Sequence, residues 1–370
     1  MRFASLTSCL TVFFTVCFVS GCEEPNAKPV VPEQEVAAAK ALTNAGAVLK
    51  NDESGRVVDA DLRKCDVNSD LFKNLSALSL LRSLNLSGTN FSDEHCVASG
   101  SDKPVIDLLP AELSNLDLRD CKLSDAATPA LARFTKLRAL RFSGKSGNTT
   151  ITDEGLVPLK SLKSLKLLAL DDLWITDAGI SSIAELGQIE ELYLAATVVE
   201  DNSIATISKL PSLKKLRLSK TSVSDAALES LKACKALQEL DLSENSIITD
   251  AGLVHLAAIT SLKKLNLWRV QITDAGALAL APLVNLEWLN LDNTKLSDAG
   301  LPCLKDMNRL TFLHLGSTQI TEAGAPALFH LKTLKDLKIT RTALGASEAA
   351  VADLKKNLPT TQIQVEYEGQ

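Results

Sequence analysis

Aromatic side chains make up only 4% of this 370-residue chain, and it has four His and two Met. The four histidines, His95, His255, His314 and His330, show no ligand spacing to Cys or carboxylates, so the sequence carries no local metal motif. No nucleophile, base and orienting acid can be assembled from local motifs either, so the expectation is a non-enzymatic protein without a cofactor. Basic charge is not in excess: 39 Lys and Arg against 45 Asp and Glu leave a net charge of −6. This gives no global drive toward nucleic acid or an anionic membrane. Long apolar runs are also missing. The one candidate, about Leu10 to Val19, is too short to span a bilayer comfortably.

What the chain does have is a period. The last apolar residue of a Leu-x-x-Leu-x-Leu phrase recurs at Leu86, Leu118, Phe142, Leu170, Leu194, Leu218, Leu242, Leu267, Leu291, Leu315 and Ile339, most often at 24-residue steps. Leu62 precedes this series and Val365 follows it. An acidic residue keeps the same phase: Asp93, Asp125, Asp153, Asp177, Asp201, Asp225, Asp250, Asp274 and Asp298, closed by Glu322. Within one unit, Lys264-Leu265-Asn266-Leu267 alternates as a short strand with its leucines inward. Thr273-Asp274-Ala275-Gly276 then offers a hydroxyl or carboxylate to the free amides of a helical turn, and helix capping is the role expected for the acidic column. Leu278, Leu280 and Leu283 are expected to return an apolar face to the same interior. One unit cannot cover that face, but stacked units can.

With this leucine spacing and period, the segment from about Arg56 to Val365 resembles leucine-rich repeats, similar to the ribonuclease-inhibitor-like and F-box-associated types. The resemblance implies an α/β solenoid, a curved horseshoe with parallel strands on the concave face and short helices on the convex face. It also implies protein recognition through that concave face, by a chain expected to be monomeric. The slot after the strand, where such repeats often carry Asn, holds Thr at Thr89, Thr197, Thr221, Thr294 and Thr318 and Cys at Cys65 and Cys121, and Asn245 is the only Asn found there. An Asn amide ties adjacent turns together, and a hydroxyl can replace it in part by donating to a neighbouring carbonyl.

Arg2 ahead of the short apolar run reads as an export signal. Val19-Ser20-Gly21-Cys22 looks like a bacterial lipobox, which implies Cys22 as an acylated mature N-terminus. Two or three acyl chains hold a protein on a membrane where one is marginal, since each buried methylene adds about 0.8 kcal/mol. The expected organisation is a signal peptide at 1–21, a Pro-rich tether at 22–36, an N-terminal cap at 37–56, repeats at 57–345 and a C-terminal cap at 346–370. This places the protein in a bacterial cell envelope, periplasmic or on the outer surface.

The eight cysteines do not suggest a disulfide framework. Cys9 and Cys17 leave with the signal, and Cys65 and Cys121 fall two strands apart, roughly 9 to 10 Å, too far to bridge. Cys96 and Cys234 take leucine slots, and Cys303 is expected to be an exposed thiol. Two irregular steps put extra residues near Ser99 to Pro110 and Gly144 to Thr150, expected as loops bulging from one edge. The stretch Ala139 to Ser146 formally fits a phosphate-loop pattern, yet it has one glycine before the lysine and no helix starting there.

Outward strand positions are where such a fold binds. Most are polar and alternate in sign between repeats, as at Lys215 and Arg217 against Glu239 and Asp241. The exceptions are Trp268, Trp288 and Phe312, with Trp288 and Phe312 at the same place in adjacent repeats. The candidate partner-binding patch is therefore Lys264, Trp268, Arg269, Trp288, Asn290, Phe312 and His314, because Trp, Tyr and Arg combine apolar area with a polar handle. The occupant is expected to be an unidentified protein. A carbohydrate stacking on the rings and a purely structural spacer are the alternatives.

Overall fold

The computed structural model describes residues 31–98 and 103–366. The export signal, Cys22 and most of the tether lie outside these residues, as does part of the first long insertion. Among the described residues the strands are β1 (Val48–Asn51), β2 (Val57–Asp61), β3 (Ser83–Asn85), β4 (Asn115–Asp117), β5 (Ala139–Ser143), β6 (Leu167–Asp171) and β7 (Glu191–Tyr193). They continue as β8 (Lys215–Arg217), β9 (Glu239–Asp241), β10 (Lys264–Asn266), β11 (Trp288–Asn290), β12 (Phe312–His314), β13 (Asp336–Lys338) and β14 (Gln362–Gln364). They form one sheet in chain order, parallel throughout except for the antiparallel β1–β2 pair. Register is strict: Leu265 stands beside Leu240 and Leu289, and Leu289 beside Leu313.

Burial of the leucine column holds the array together. Every residue of the series from Leu62 to Ile339 is inaccessible to solvent. At about 1.5–3 kcal/mol per buried leucine, no other contribution compares. Between strands the chain makes a short helical turn on the opposite, convex layer. In most repeats this is an α-helix such as Asp250–Leu256, and at Asp298–Leu304 and Glu322–Leu328, each with an internal proline, it is a 3₁₀ helix. Because helices are wider than the strand spacing, the sheet curves with its strands inside.

The acidic column has a different role from the expected one. In most repeats the Ser or Thr before the acid caps its own helix: Thr273 accepts from Ala275 N–H and Ser297 from Ala299 N–H, whereas Thr152 makes no such bond. The aspartate instead reaches into the next repeat. Asp274 accepts the backbone N–H of Ser297 at 2.7 Å and its hydroxyl at 2.6 Å. Asp250 does the same to Thr273, Asp225 to Thr249 and Asp298 to Thr321. The TDAG glycine makes room for this clamp, since a Cβ on Gly276 would overlap the Asp250 carboxylate. One repeat solves the problem in another way. Glu200 stands where the hydroxyl belongs, and Ser203, in the glycine position, donates its own hydroxyl to Asp177.

Two residues past the inward end of the strand the chain turns left-handed, with φ from 51° to 61° at nine non-glycine residues, Ala196 and Arg269 among them. Strain at such a position costs about 1 kcal/mol or more. The turn aims the residue's N–H at the following repeat, as Ala196 to Ser219 O and Arg269 to Asp292 O. Asn245 ties turns together as expected, donating to Leu218 O and Leu242 O while accepting from Thr221. The threonines bridge less than expected. Thr197, Thr221, Thr294 and Thr318 donate to a carbonyl three residues earlier in their own turn. Cys121 does bridge, with its thiol on Leu86 O at 3.1 Å.

Both ends are closed. Helix α1 (Glu33–Asn44) starts within the stretch expected as tether, because Glu35 is buried where it accepts Val57 N–H at 2.9 Å and pairs with Arg56 at 2.5 Å. At the other end the helix Glu348–Asn357 and strand β14 cover Leu337 and Ile339. The first insertion does not simply bulge outward. Its turn Val105–Leu108 packs against α2 (Ser69–Ser76) and buries Ile106, and Leu109 follows it inside. The second insertion also returns inward, burying Thr149 with its hydroxyl on Cys121 O.

Cys303 is 1% exposed, so it is not the accessible thiol expected. It lies on the core side of the turn Asp298–Leu304, between buried Leu301 and Leu304, and burial pushes its thiol up to about 12. The other described cysteines, Cys65, Cys96, Cys121 and Cys234, are also buried and free. No helix among the described residues is long and apolar enough to cross a membrane.

Candidate interaction face

In-register stacking turns each outward strand position into a row across the concave surface. The first row reads Glu191, Lys215, Glu239, Lys264, Trp288, Phe312 and Asp336, and the second reads Tyr193, Arg217, Asp241, Asn266, Asn290, His314 and Lys338. Trp288 and Phe312 are half-buried and lie face to face, their ring centroids 4.8 Å apart and their planes 4° from parallel. His314 meets Phe312 edge-on at 6.4 Å, and the Lys338 ammonium stands 5.8 Å from the Phe312 ring. Four of the expected patch residues, Trp288, Asn290, Phe312 and His314, thus form one cluster on β11 and β12. Lys264 borders it across the sheet but leans away, pairing with Glu239 at 3.4 Å.

Trp268 and Arg269 form a separate unit. They sit beyond the end of β10, where the Arg269 guanidinium covers the Trp268 ring at 4.7 Å and pairs with Glu244 at 3.2 Å. The left-handed turn at Arg269 directs the chain toward the rim, which separates this pair from the stacked rings.

Electrostatics along the face are largely settled internally. Lys215 pairs with Glu191 and Glu239, and Arg217 pairs with Asp171 while stacking on Tyr193. Burial lifts the Asp171 carboxyl above its ordinary range, although Arg217 and Ala195 N–H oppose the rise. At His314 burial lowers the pKa, with the Asp292 carboxylate opposing and Lys338 reinforcing. The His314 ring stands 3.9 Å from the Asp292 carboxylate.

Beside the cluster lies a hollow of about 280 Å³, with Trp288 and Lys264 at one end and Tyr193 and Arg217 at the other. Its sides carry Glu239, Asp241 and Asn266. The column reading placed the residues lining this hollow outward but did not join them to the patch. It also missed Trp174, which is 70% exposed on the strand-to-helix edge. The signal was present in the alternation Leu173-Trp174-Ile175, whose flanking residues are buried. Among the described residues no three His, Cys, Asp or Glu side chains are grouped to hold a metal ion.

Residues 233–257 and 258–281 match the family model described as Leucine Rich repeat. No curated protein matches the chain significantly. Among solved structures, an internalin from Listeria monocytogenes is similar at 21% identity and a TM-score of 0.60, with 91% of this chain and 95% of that chain covered. A plant peptide hormone receptor, RGFR1 in complex with RGF2, aligns at 16% identity and a TM-score of 0.46 over 81% of this chain and 49% of that one. PEPR1–AtPEP1 aligns at 18% identity and a TM-score of 0.47 over 92% of this chain and 53% of that one. With two repeats matched in sequence, strands β2 to β14 stacked in parallel register and an internalin aligned along nearly the whole chain, the fold is that of a leucine-rich repeat solenoid.

Proposed function

We propose that the chain is an exported, lipid-anchored, non-enzymatic scaffold that holds another protein against its concave face. The observation that carries this reading is the parallel Trp288–Phe312 stack, two large rings left half-open on a face whose charged neighbours are mostly paired. Apolar area left partly exposed beside Asn290 and His314 is the composition of a binding hot spot. The export segment and the Val19-Ser20-Gly21-Cys22 phrase supply the envelope location, with Cys22 as the acylated residue. Lys264 flanks the patch, and Trp268 with Arg269 extends it toward the rim.

A carbohydrate is the second reading, favoured by the hollow that Trp288 shares with Asn266 and Asp241, where a ring face and hydrogen-bonding side chains stand together. One experiment separates the readings. The chain from residue 22, immobilised, is offered envelope proteins with crosslinking and, in parallel, a glycan array, as wild type and as Trp288→Ala/Phe312→Ala. Loss of a specific crosslinked protein in the double variant supports the protein scaffold. A glycan signal lost in the variant supports the carbohydrate reading, and binding that ignores both substitutions overturns the assignment of the patch.

A further inference from the structure

The net charge of −6 conceals a segregation that the fold makes spatial. In a parallel, in-register array every strand-to-helix turn falls on one edge and every helix-to-strand turn on the other. Most helix-to-strand turns are basic: 132–138 and 160–166 carry three Lys or Arg each without an acid, and 208–214, 232–238 and 329–335 carry two each, while 184–190 and 281–287 carry only acids. The opposite turns are acidic, with three Asp in 171–177 and two acids in each of 195–201 and 243–250.

Acids on the basic edge are few, and apart from Asp306 those in the turns from 184 onward are paired with lysines. Glu185 pairs with Lys163, and Glu190 with both Lys166 and Lys214. Lys136, Lys160, Lys209, Lys235, Lys305 and Lys335 remain exposed, and among the described residues they form no ion pair. Lys209 and Lys235 also flank a recess of about 410 Å³ between consecutive turns, floored by Leu210 and Cys234.

We infer that this edge is a docking surface for an anionic phospholipid bilayer, so that the solenoid rests on the membrane along its basic side. The inference builds on the lipid-anchor reading above. Only ten residues, 23–32, separate an acylated Cys22 from helix α1, so whatever their conformation they reach at most roughly 36 Å. That tether keeps the lysines at high effective concentration above the headgroups, where weak attractions add. With the basic edge down, the acidic edge faces away and the concave face stays open to the side.

The test is vesicle flotation with the chain from residue 22 carrying Cys22→Ser, so that no acyl chain contributes. Its two caps close the array without the signal segment. Vesicles of phosphatidylcholine alone are compared with vesicles containing phosphatidylglycerol, at low and at high salt. The expected result is flotation with phosphatidylglycerol only, lost at high salt as screening shortens the attraction. Lys136→Glu/Lys160→Glu/Lys209→Glu/Lys235→Glu should weaken it at least ~10-fold. The control Lys122→Glu/Lys145→Glu/Lys220→Glu/Lys295→Glu changes net charge equally on the acidic edge and should leave flotation intact. No flotation of the parent, equal loss in both variants, or retention of a soluble anionic polysaccharide with no vesicle binding would each overturn the inference. Trp288→Ala/Phe312→Ala should float like the parent, so failure of this edge and failure of the concave patch are read separately.

Discussion

At the scale of single residues, the Asp columns act between repeats, and the exception at 200–203 provides the means to test this. Asp177 accepts the N–H groups of Glu200 and Ser203 together with the Ser203 hydroxyl. Ser203→Gly should remove the hydroxyl and cost about 1–2 kcal/mol. Glu200→Thr on that background restores the phrase found in the neighbouring repeats and should recover most of the loss. Denaturant midpoints of the parent and the two variants check this, and failure of the second substitution to rescue would mean that the clamp contributes little. His314 gives a pH-dependent test. Its folded pKa is depressed mainly by burial, so on acidification below its ordinary value of 6.5 the unfolded chain takes up the proton first. The unfolded state then binds more protons, and stability falls as pH drops through the window between 6.5 and the lower folded value. His314→Gln should lose less stability than the parent between about pH 7.5 and about pH 5. Equal loss in both would assign the acid sensitivity to other groups.

At the scale of elements, the leucine register made the strands legible before any coordinate, because period-two alternation with a fixed repeat length leaves few alternatives. Helix winding was not legible. Pro302 and Pro326 lie inside turns of 3₁₀ geometry, and leucine spacing alone did not place Cys303 in the core. The inward-folding insertion at 105–109 was hidden because a short apolar pair, Ile106 and Leu109, has no period to reveal it. The outward rows were legible as rows, yet the separation of Trp268 from Trp288 depends on the left-handed turn at Arg269, which side-chain pattern does not encode. Element boundaries also moved where one buried contact decided them, as with Glu35 and the start of α1. Glu35→Ala should detach that helix. It removes a carboxylate 1% exposed together with its bonds to Val57 N–H and the partly exposed Arg56, at a cost of about 2 kcal/mol. Hydrogen exchange across 33–51 should accelerate while the repeats beyond β3 stay protected. Uniform acceleration along the chain would mean that the cap and the repeats unfold as one unit.

At the scale of the whole molecule, a solenoid is stable only as far as each repeat holds its neighbour, so its integrity is set by its weakest interface. The junction near residue 245 concentrates that dependence. The step from Leu242 to Leu267 has one residue more than the 24-residue repeats around it, and Ile247 is left 53% exposed there. Asn245, wholly buried, compensates by saturating Leu218 O, Leu242 O and Thr221 N–H across the joint. Asn245→Ala would leave Leu242 O and Thr221 N–H without their partner and Leu218 O with the Thr221 hydroxyl alone, at about 1–3 kcal/mol for each unpartnered group that water cannot reach. Because coupling is between nearest neighbours, the damage should divide the array instead of lowering its stability evenly. Calorimetry should resolve two transitions in place of one, with the repeats before and after the junction melting separately. Asn245→Thr, which introduces the residue present at Thr221 and Thr294, should give an intermediate result because a threonine here closes its own turn without reaching the next. A single sharp transition in Asn245→Ala, merely shifted downward, would show that the leucine ladder alone carries cooperativity across the joint.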